Sequence, residues 1–452
     1  MRSLFLFIFI IASFILSEYD FYSITAILVT LFFLNNLLLN SNNIIAFKEF
    51  LIFLYSFNYL LAPAITFYLP PDLIIYKIKL SSNEYFSLMI PAILLFYFGL
   101  NSIKTSLFKF NKIDFEIITI LNEPILKQMV YIGVFLNFFS NSFSGGFSFF
   151  IYLLSMLRFV GAFSLFYINR EKYSKILIFV MLLSMLNAFL AGMYHDFVMW
   201  SIFFGLVFFY TSKPTILYKT LFILIAIISI LFIQSLKSIY RSNVWFGNNE
   251  ANISTILFSS QEAVSNGNLS SESNYLSTLN RTNQAWIFAS TVNNLNSTND
   301  YQGISHFYQY FESALLPRFL SNSKLESGNK DIFNRFSGHE ISSGTSMGLG
   351  VFADGYIAYG KWGLWITSFI FGLIFVIIFS IVESWAKISP FFLFFLFPIL
   401  VYAIRPDCEL QTILGHIVKS LLVYGLLVTY YKKYFKKQIQ ILQFNNQANL
   451  IT

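Results

Sequence analysis

Five basic side chains have the type and setting to grip a phosphate: Arg241, Arg281, Arg318 and Arg405, with Lys324 shortly after Arg318. A guanidinium stays charged at any physiological pH and presents a planar fork that takes two oxygens at once. Proton acceptors follow along the chain, with His339 and Glu340 adjacent and Asp354 beyond them. Each of these groups can take a proton from a hydroxyl. Ser343, Thr345, Tyr356 and Trp362 bring hydroxyl and aromatic groups into the same part of the chain. Arg158, His416 and Lys419 lie inside apolar runs. A charge in such a place is costly and faces a polar cavity or a partner. His416 and Lys419 are about one helical turn apart and can line one cavity. The chain has no Walker loop, no glycine-rich dinucleotide turn and no HExxH pair, so neither ATP nor zinc chemistry is indicated. The single cysteine, Cys408, excludes a disulfide framework and a cysteine zinc site. No metal and no cofactor is expected.

The elements that position these residues are membrane helices. The chain has 452 residues, 56% hydrophobic and 11% charged, with a mean hydropathy of +0.65. A soluble domain has about 25% charged residues, so a soluble enzyme is excluded. Apolar runs predict twelve spans, near 3–17, 21–39, 50–69, 85–100, 128–143, 149–168, 176–194, 197–211, 218–236, 356–381, 390–404 and 412–431. An N-terminus in the cytoplasm leaves sixteen of the 29 basic residues on that side, which satisfies the positive-inside rule. The net charge of +7 is thus a topology signal that needs no nucleic-acid partner. The expected fold is an all-α polytopic membrane protein of about twelve transmembrane helices with one large extracytoplasmic loop. Residues 1–236 form an N-terminal bundle, 237–349 the loop, 350–431 the C-terminal spans and 432–452 a basic cytoplasmic tail.

The loop holds seven basic and eight acidic residues. Its first part, 248–300, is rich in Asn, Ser and Thr and predicts a flexible segment. Residues 308–316 have helical apolar spacing. By parity Arg241 lies just beyond the ninth span and Arg405 ends the eleventh on the same side. Arginines converging at the outer bilayer surface fit a lipid-borne pyrophosphate; interfacial snorkelling is the competing role. Glu18-Tyr19-Asp20 places acids on the first external loop.

Leu316-Pro317-Arg318-Phe319-Leu320 with Lys324, then Ser343-Gly344-Thr345-Ser346-Met347-Gly348-Leu349-Gly350, then Asp354-Gly355-Tyr356-Ile357-Ala358-Tyr359-Gly360-Lys361-Trp362-Gly363 carry a further signal. Together with Arg405-Pro406-Asp407 they resemble the motifs of Wzy-type oligosaccharide repeat-unit polymerases, which make O-antigen and capsular polysaccharide. Asp354 stands where that family usually has Glu, and Ala358 where it usually has Asn. The resemblance implies a fold like the GT-C-type lipid-sugar glycosyltransferases. It implies a transferase that joins undecaprenyl-pyrophosphate-linked oligosaccharides at the outer face of the inner membrane, without a metal, with His339, Glu340 or Asp354 as the base and Ser343, Thr345, Tyr356 and Trp362 against the acceptor sugar. Its partners would be lipid-linked donor and acceptor, membrane lipids and a chain-length regulator. A lipid-linked oligosaccharide flippase and an O-antigen ligase are the rival readings.

Overall fold

A computed structural model describes residues 20–70, 72–103, 112–139, 146–244, 250, 252–265, 271–316, 325, 328–342 and 345–448. The predicted span 3–17 lies outside them. Among the described residues the chain is helical. Eight helices among the described residues are long and apolar enough to cross a membrane, so this is a multi-pass membrane protein; Pro390–Leu400 is a shorter apolar helix.

Helix α1 (Phe21–Asn40) starts at Asp20, whose carboxylate accepts from the backbone N–H of Tyr22 and from Ser82 Oγ at 2.7 Å. Asp20 is therefore a cap that ties α1 to α3 (Ser82–Asn101). Helix α2 (Phe47–Phe67) widens into a π-turn at Phe57–Leu61, just before Pro63. Proline has no N–H for the carbonyl four residues back, which is Tyr59. That carbonyl accepts from Tyr85 Oη at 2.8 Å, and Asn58 O accepts from the Gln284 N–H at 3.2 Å. The irregular turn thus turns backbone acceptors toward neighbouring elements.

The chain continues through α4 (Lys112–Phe139), α5 (Gly146–Ser155), α6 (Leu157–Ile168), α7 (Arg170–Ala191), α8 (His195–Ser212) and α9 (Ile216–Val244). Gly161 of α6 lies against the backbone of Leu126, where a Cβ would collide. Small residues bring membrane helices this close where lipid offers no hydrophobic drive for association.

The segment 248–300, expected to be flexible, is largely helical: α10 (Ile253–Ser265), α11 (Glu272–Thr282) and α12 (Ala285–Thr298). Side-chain caps compensate for its polar composition. Asn252 Oδ1 accepts from Thr255 N, and Ser271 Oγ accepts from Asn274 N. Helix α12 also buries Trp286, Phe288, Val292 and Leu295. Helix α13 (Ile304–Leu315) matches the helix expected over 308–316, and α14 (Lys330–Ser337) follows.

Helix α15 (Val351–Ala386) is broken at Tyr359 and Gly360, where the backbone leaves helical geometry. The freed carbonyls of Ile357 and Ala358 accept from the N–H groups of Gln302 and Gly303, both at 3.0 Å. The break therefore docks the loop onto the bundle. Beyond it, α15 packs on α3, and Trp365 Nε1 donates to Leu88 O at 3.0 Å. The span expected at 390–404 is shorter: a 3-10 turn (Pro390–Phe395), α16 (Leu396–Leu400) and a turn to Glu409, before α17 (Leu410–Ala448). Helical hydrogen bonding is interrupted at Pro398, which cannot donate to the turn before it.

Candidate functional site

A cavity of about 470 Å³ lies where the loop meets the bundle. Its walls come from Ser277, Asn280 and Arg281 of α11, Trp286 and Ile287 of α12, Ser346–Gly348, Tyr76, and the turn Tyr402–Glu409. Two tyrosines of α2 hold that turn from beneath: Tyr55 Oη donates to Ala403 O and Tyr59 Oη to Pro406 O, each at 3.0 Å. The segment after Met347 runs against the same turn. A Cβ at Gly348 would collide with Asp407 O, and one at Gly350, whose φ is +86°, would collide with Tyr59 Oη. Only glycine allows both the backbone angle and the contact.

Two of the predicted phosphate ligands, Arg281 and Arg405, line the cavity together. Arg405 Nη2 pairs with Asp407 Oδ2 at 3.1 Å, and its guanidinium lies 5.4 Å from the centre of the Tyr402 ring. Burial pushes the Asp407 carboxyl up, but Arg405 outweighs it and holds the carboxyl below its usual range. Both partners keep exposed surface, 23% for Arg405 and 45% for Asp407, so the fork is oriented without being closed off. Tyr76 stacks on Trp286 with ring centres 4.4 Å apart and planes 13° apart, forming an aromatic wall. Such a wall suits a sugar ring or the stem of an arginine.

Arg241 is directed elsewhere. Its Nε and Nη2 donate to Gly192 O at 3.1 and 2.9 Å, closing the end of α7. It remains near enough to Arg281 for the two charges to repel, as does Lys237. Arg318, Lys324 and Ser343 lie outside the described residues.

The three candidate bases do not line the cavity. Asp354 is fully buried, accepting from Leu410 N at 2.8 Å and Tyr310 Oη at 3.1 Å, with His306 Nε2 at 3.4 Å. Its place is structural: it caps α17 and joins it to α13 and α15. His339 stands one layer behind the aromatic wall. Its Nε2 meets Ser290 Oγ at 2.9 Å and its ring lies edge-on to Trp286. Burial, and then Lys79, lower its pKa. Glu340 is exposed and outside the lining.

Of the expected glycan contacts, Thr345 is exposed and bonded to Ser342 Oγ at 2.8 Å. Tyr356 is buried, donating to Asn296 Oδ1 at 3.1 Å. Trp362 is 68% exposed, against the edge of Trp365. None of the three lines the cavity. Arg158 is buried within the bundle. It donates to Ser155 O at 2.9 Å, lies over the Phe159 ring, and its Nε has no partner. His416 donates from Nε2 to Pro398 O at 2.7 Å, in the place where a proline interrupts the chain. Lys419 is exposed with its ammonium over Phe149, the ring that His416 also touches.

Glu409 is the residue that sequence reasoning passed over. It lines the cavity, and its Oε1 accepts from Gly328 N at 2.7 Å and Thr412 Oγ1 at 3.1 Å. Burial, and next the Asp354 charge, push its carboxyl up to about 7. A carboxyl with that pKa exchanges a proton near neutrality, as a general base must. The signal was available in Arg405-Pro406-Asp407-Cys408-Glu409, two acids and an arginine packed into one short break between apolar runs.

The cavity therefore combines two guanidinium groups, an aromatic wall and one carboxyl poised to take a proton. That set can bind a phosphate-bearing group and activate a hydroxyl beside it. Residues 82–389, more than half of the chain, match the family described as a domain of unknown function, DUF8712. No curated protein and no solved structure matches the chain. The chain accordingly belongs to the DUF8712 family.

Proposed function

We propose that this protein is a polysaccharide polymerase of the bacterial inner membrane, with twelve spans in a GT-C-like arrangement, both termini cytoplasmic and the cavity at the outer face. It joins oligosaccharide repeat units carried on undecaprenyl pyrophosphate. One observation carries the reading: Arg281 and Arg405 share a cavity with Glu409, a carboxyl held near 7. The resemblance of residues 316–320 with Lys324, of 343–350, of 354–363 and of Arg405-Pro406-Asp407 to repeat-unit polymerases supports it.

The chemistry is a displacement at the anomeric carbon of the donor unit. An acceptor sugar hydroxyl attacks that carbon, a new glycosidic C–O bond forms, and the C–O bond to the lipid pyrophosphate breaks. Glu409 takes the hydroxyl proton. Charge grows on the departing pyrophosphate, and Arg281 and Arg405 neutralise it as it develops. Asp407 keeps the Arg405 fork aligned, and the Tyr76–Trp286 wall supports the acceptor sugar.

Detergent-purified protein given a radiolabelled undecaprenyl-pyrophosphate-linked repeat unit should yield a ladder of lengthened glycans. Consumption of no donor, with the labelled lipid instead crossing the bilayer of proteoliposomes, would replace the polymerase with a flippase.

A further inference from the structure

Among the described residues, helix α9 (Ile216–Val244) is anchored near both ends, touched by α11 at Leu231, and left uncovered over residues 227–230. Only 6% of its most apolar stretch is buried, against 78% for Phe147–Ile168. At one end Lys219 Nζ donates to Leu38 O, and Phe222 packs on Phe209 with ring centres 5.2 Å apart. At the other, Leu236 and Tyr240 are buried, and Tyr240 Oη donates to Leu190 O at 3.0 Å.

These anchors lie on one stripe with i, i+3, i+4 spacing, which continues between them as Ala226, Ser229 and Ile233. The middle of that stripe is not packed. Ile227, Ile228, Ser229 and Ile230 are all exposed, and four successive residues, at about 100° each, cover every side of a helix. Ala226 and Ser229 are also too small to bridge the space. Leu231 to Gln234 are half-buried and Ser235 is buried. The open stretch therefore runs from Ile223 to Leu231, about 12 Å at about 1.5 Å per residue, against a hydrocarbon core of about 30 Å.

The loop end of this interval is cationic. Lys237 sits beside the anchoring stripe and Arg241 one turn on, both close enough to Arg281 for mutual repulsion. Helix α11 joins the interval to the cavity: Asn274 Nδ2 donates to Leu231 O at 3.2 Å, and Arg281 at its far end lines the cavity.

We propose that the gap between α9 and the bundle is a lateral binding groove for the polyprenyl tail of a pyrophosphate lipid, whose headgroup passes Lys237 into the Arg281–Arg405 cavity. The inference rests on the lipid-pyrophosphate reading of that cavity and adds where the tail lies. An apolar wall open to the bilayer suits an isoprenoid chain. The cations at its end favour a pyrophosphate over a zwitterionic headgroup, because they meet a group carrying more than one negative charge.

The test is photo-crosslinking in vesicles of phosphatidylethanolamine and phosphatidylglycerol doped with radiolabelled undecaprenyl pyrophosphate. Benzophenone side chains are placed singly at Ile228, at Ile230 and, as a control, at the exposed Ile377 of α15. The groove predicts several-fold more labelling at Ile228 and Ile230 than at Ile377. It also predicts competition by unlabelled undecaprenyl pyrophosphate but not by the free alcohol, and loss of labelling in Ser229→Trp, which fills the gap. Equal labelling at all three positions would mean ordinary bilayer contact and overturn the groove. So would crosslinks to residues 3–17 of the same chain or to a second copy. Chain extension is measured in parallel. Polymer without preferential labelling rejects only the groove, whereas saturable labelling without polymer rejects only the polymerase reading.

Discussion

Arg405 and Glu409 stand four residues apart on one turn, and in the displacement proposed above the one holds the leaving group while the other takes the proton. Changing Arg281 or Arg405 to Lys keeps the charge and removes the fork, so chain extension should fall by about tenfold or more, a loss of about 1.4 kcal/mol. Ladder assays on protein matched for amount check this, and unchanged rates would reject two-oxygen recognition. Glu409→Gln should lower the rate by about a hundredfold or more. Because the base must be deprotonated, the wild-type rate should climb as pH rises through about 7, and that climb should vanish in Glu409→Gln. The same raised pKa makes the folded protein hold this proton more tightly than the unfolded chain. Glu409 therefore disfavours folding increasingly as pH rises from 4.5 toward about 7. Arg405 stood out in the sequence at the end of an apolar run and Arg281 in the long polar loop, and both line the cavity, whereas Arg241 turns to Gly192 O. Glu409 did not stand out, because a carboxyl's proton affinity is set by burial and neighbours, and neither can be read from its position in the chain. Asp354 shows the converse: within a family-like motif it looked available, yet its oxygens face Leu410 N, Tyr310 and His306.

Among the elements, the turn Tyr402–Glu409 depends on what presses against it. Helix α2 supports it through Tyr55 and Tyr59, and Gly348 and Gly350 let the returning loop lie on it. Gly350→Ala places a Cβ against Tyr59 Oη at a positive φ and should cost about 1–3 kcal/mol, seen as a lower midpoint in thermal unfolding with reduced chain extension. Asp354→Ala strands three donors in the interior and should destabilise by about 3 kcal/mol or more, whereas Asp354→Asn should retain part of the network. If Asp354→Ala unfolds like wild type but makes no polymer, Asp354 acts in the chemistry after all. Hydropathy located most of the long helices, since an apolar run near 20 residues has few alternatives to a span. It missed the helices of 253–298, whose stability comes from caps and from one buried face on α12, features that composition averages away. The π-turn at Phe57–Leu61 was equally hidden, although Pro63 marked its place.

At the scale of the whole molecule, the cavity lies at the end of the bundle that carries the long loop, while Lys48, Lys127 and Lys172 contact carbonyl, carboxylate and ring partners at the other. The excess of Lys and Arg in the segments expected to be cytoplasmic predicts the orientation: reporter fusions near residue 280 should read as extracytoplasmic and near 440 as cytoplasmic. Both on one side would remove the scheme. Arg281 and Arg405 are proposed to hold a lipid pyrophosphate beside Glu409, and an experimental structure of the protein with undecaprenyl pyrophosphate in a lipid nanodisc checks it. Phosphate oxygens are expected within about 2.7–2.9 Å of guanidinium nitrogens of both Arg281 and Arg405, with the Glu409 carboxylate facing the same space. A pyrophosphate bound elsewhere, for instance against Arg158 inside the bundle, with the Arg281–Arg405 cavity holding only water, would contradict it.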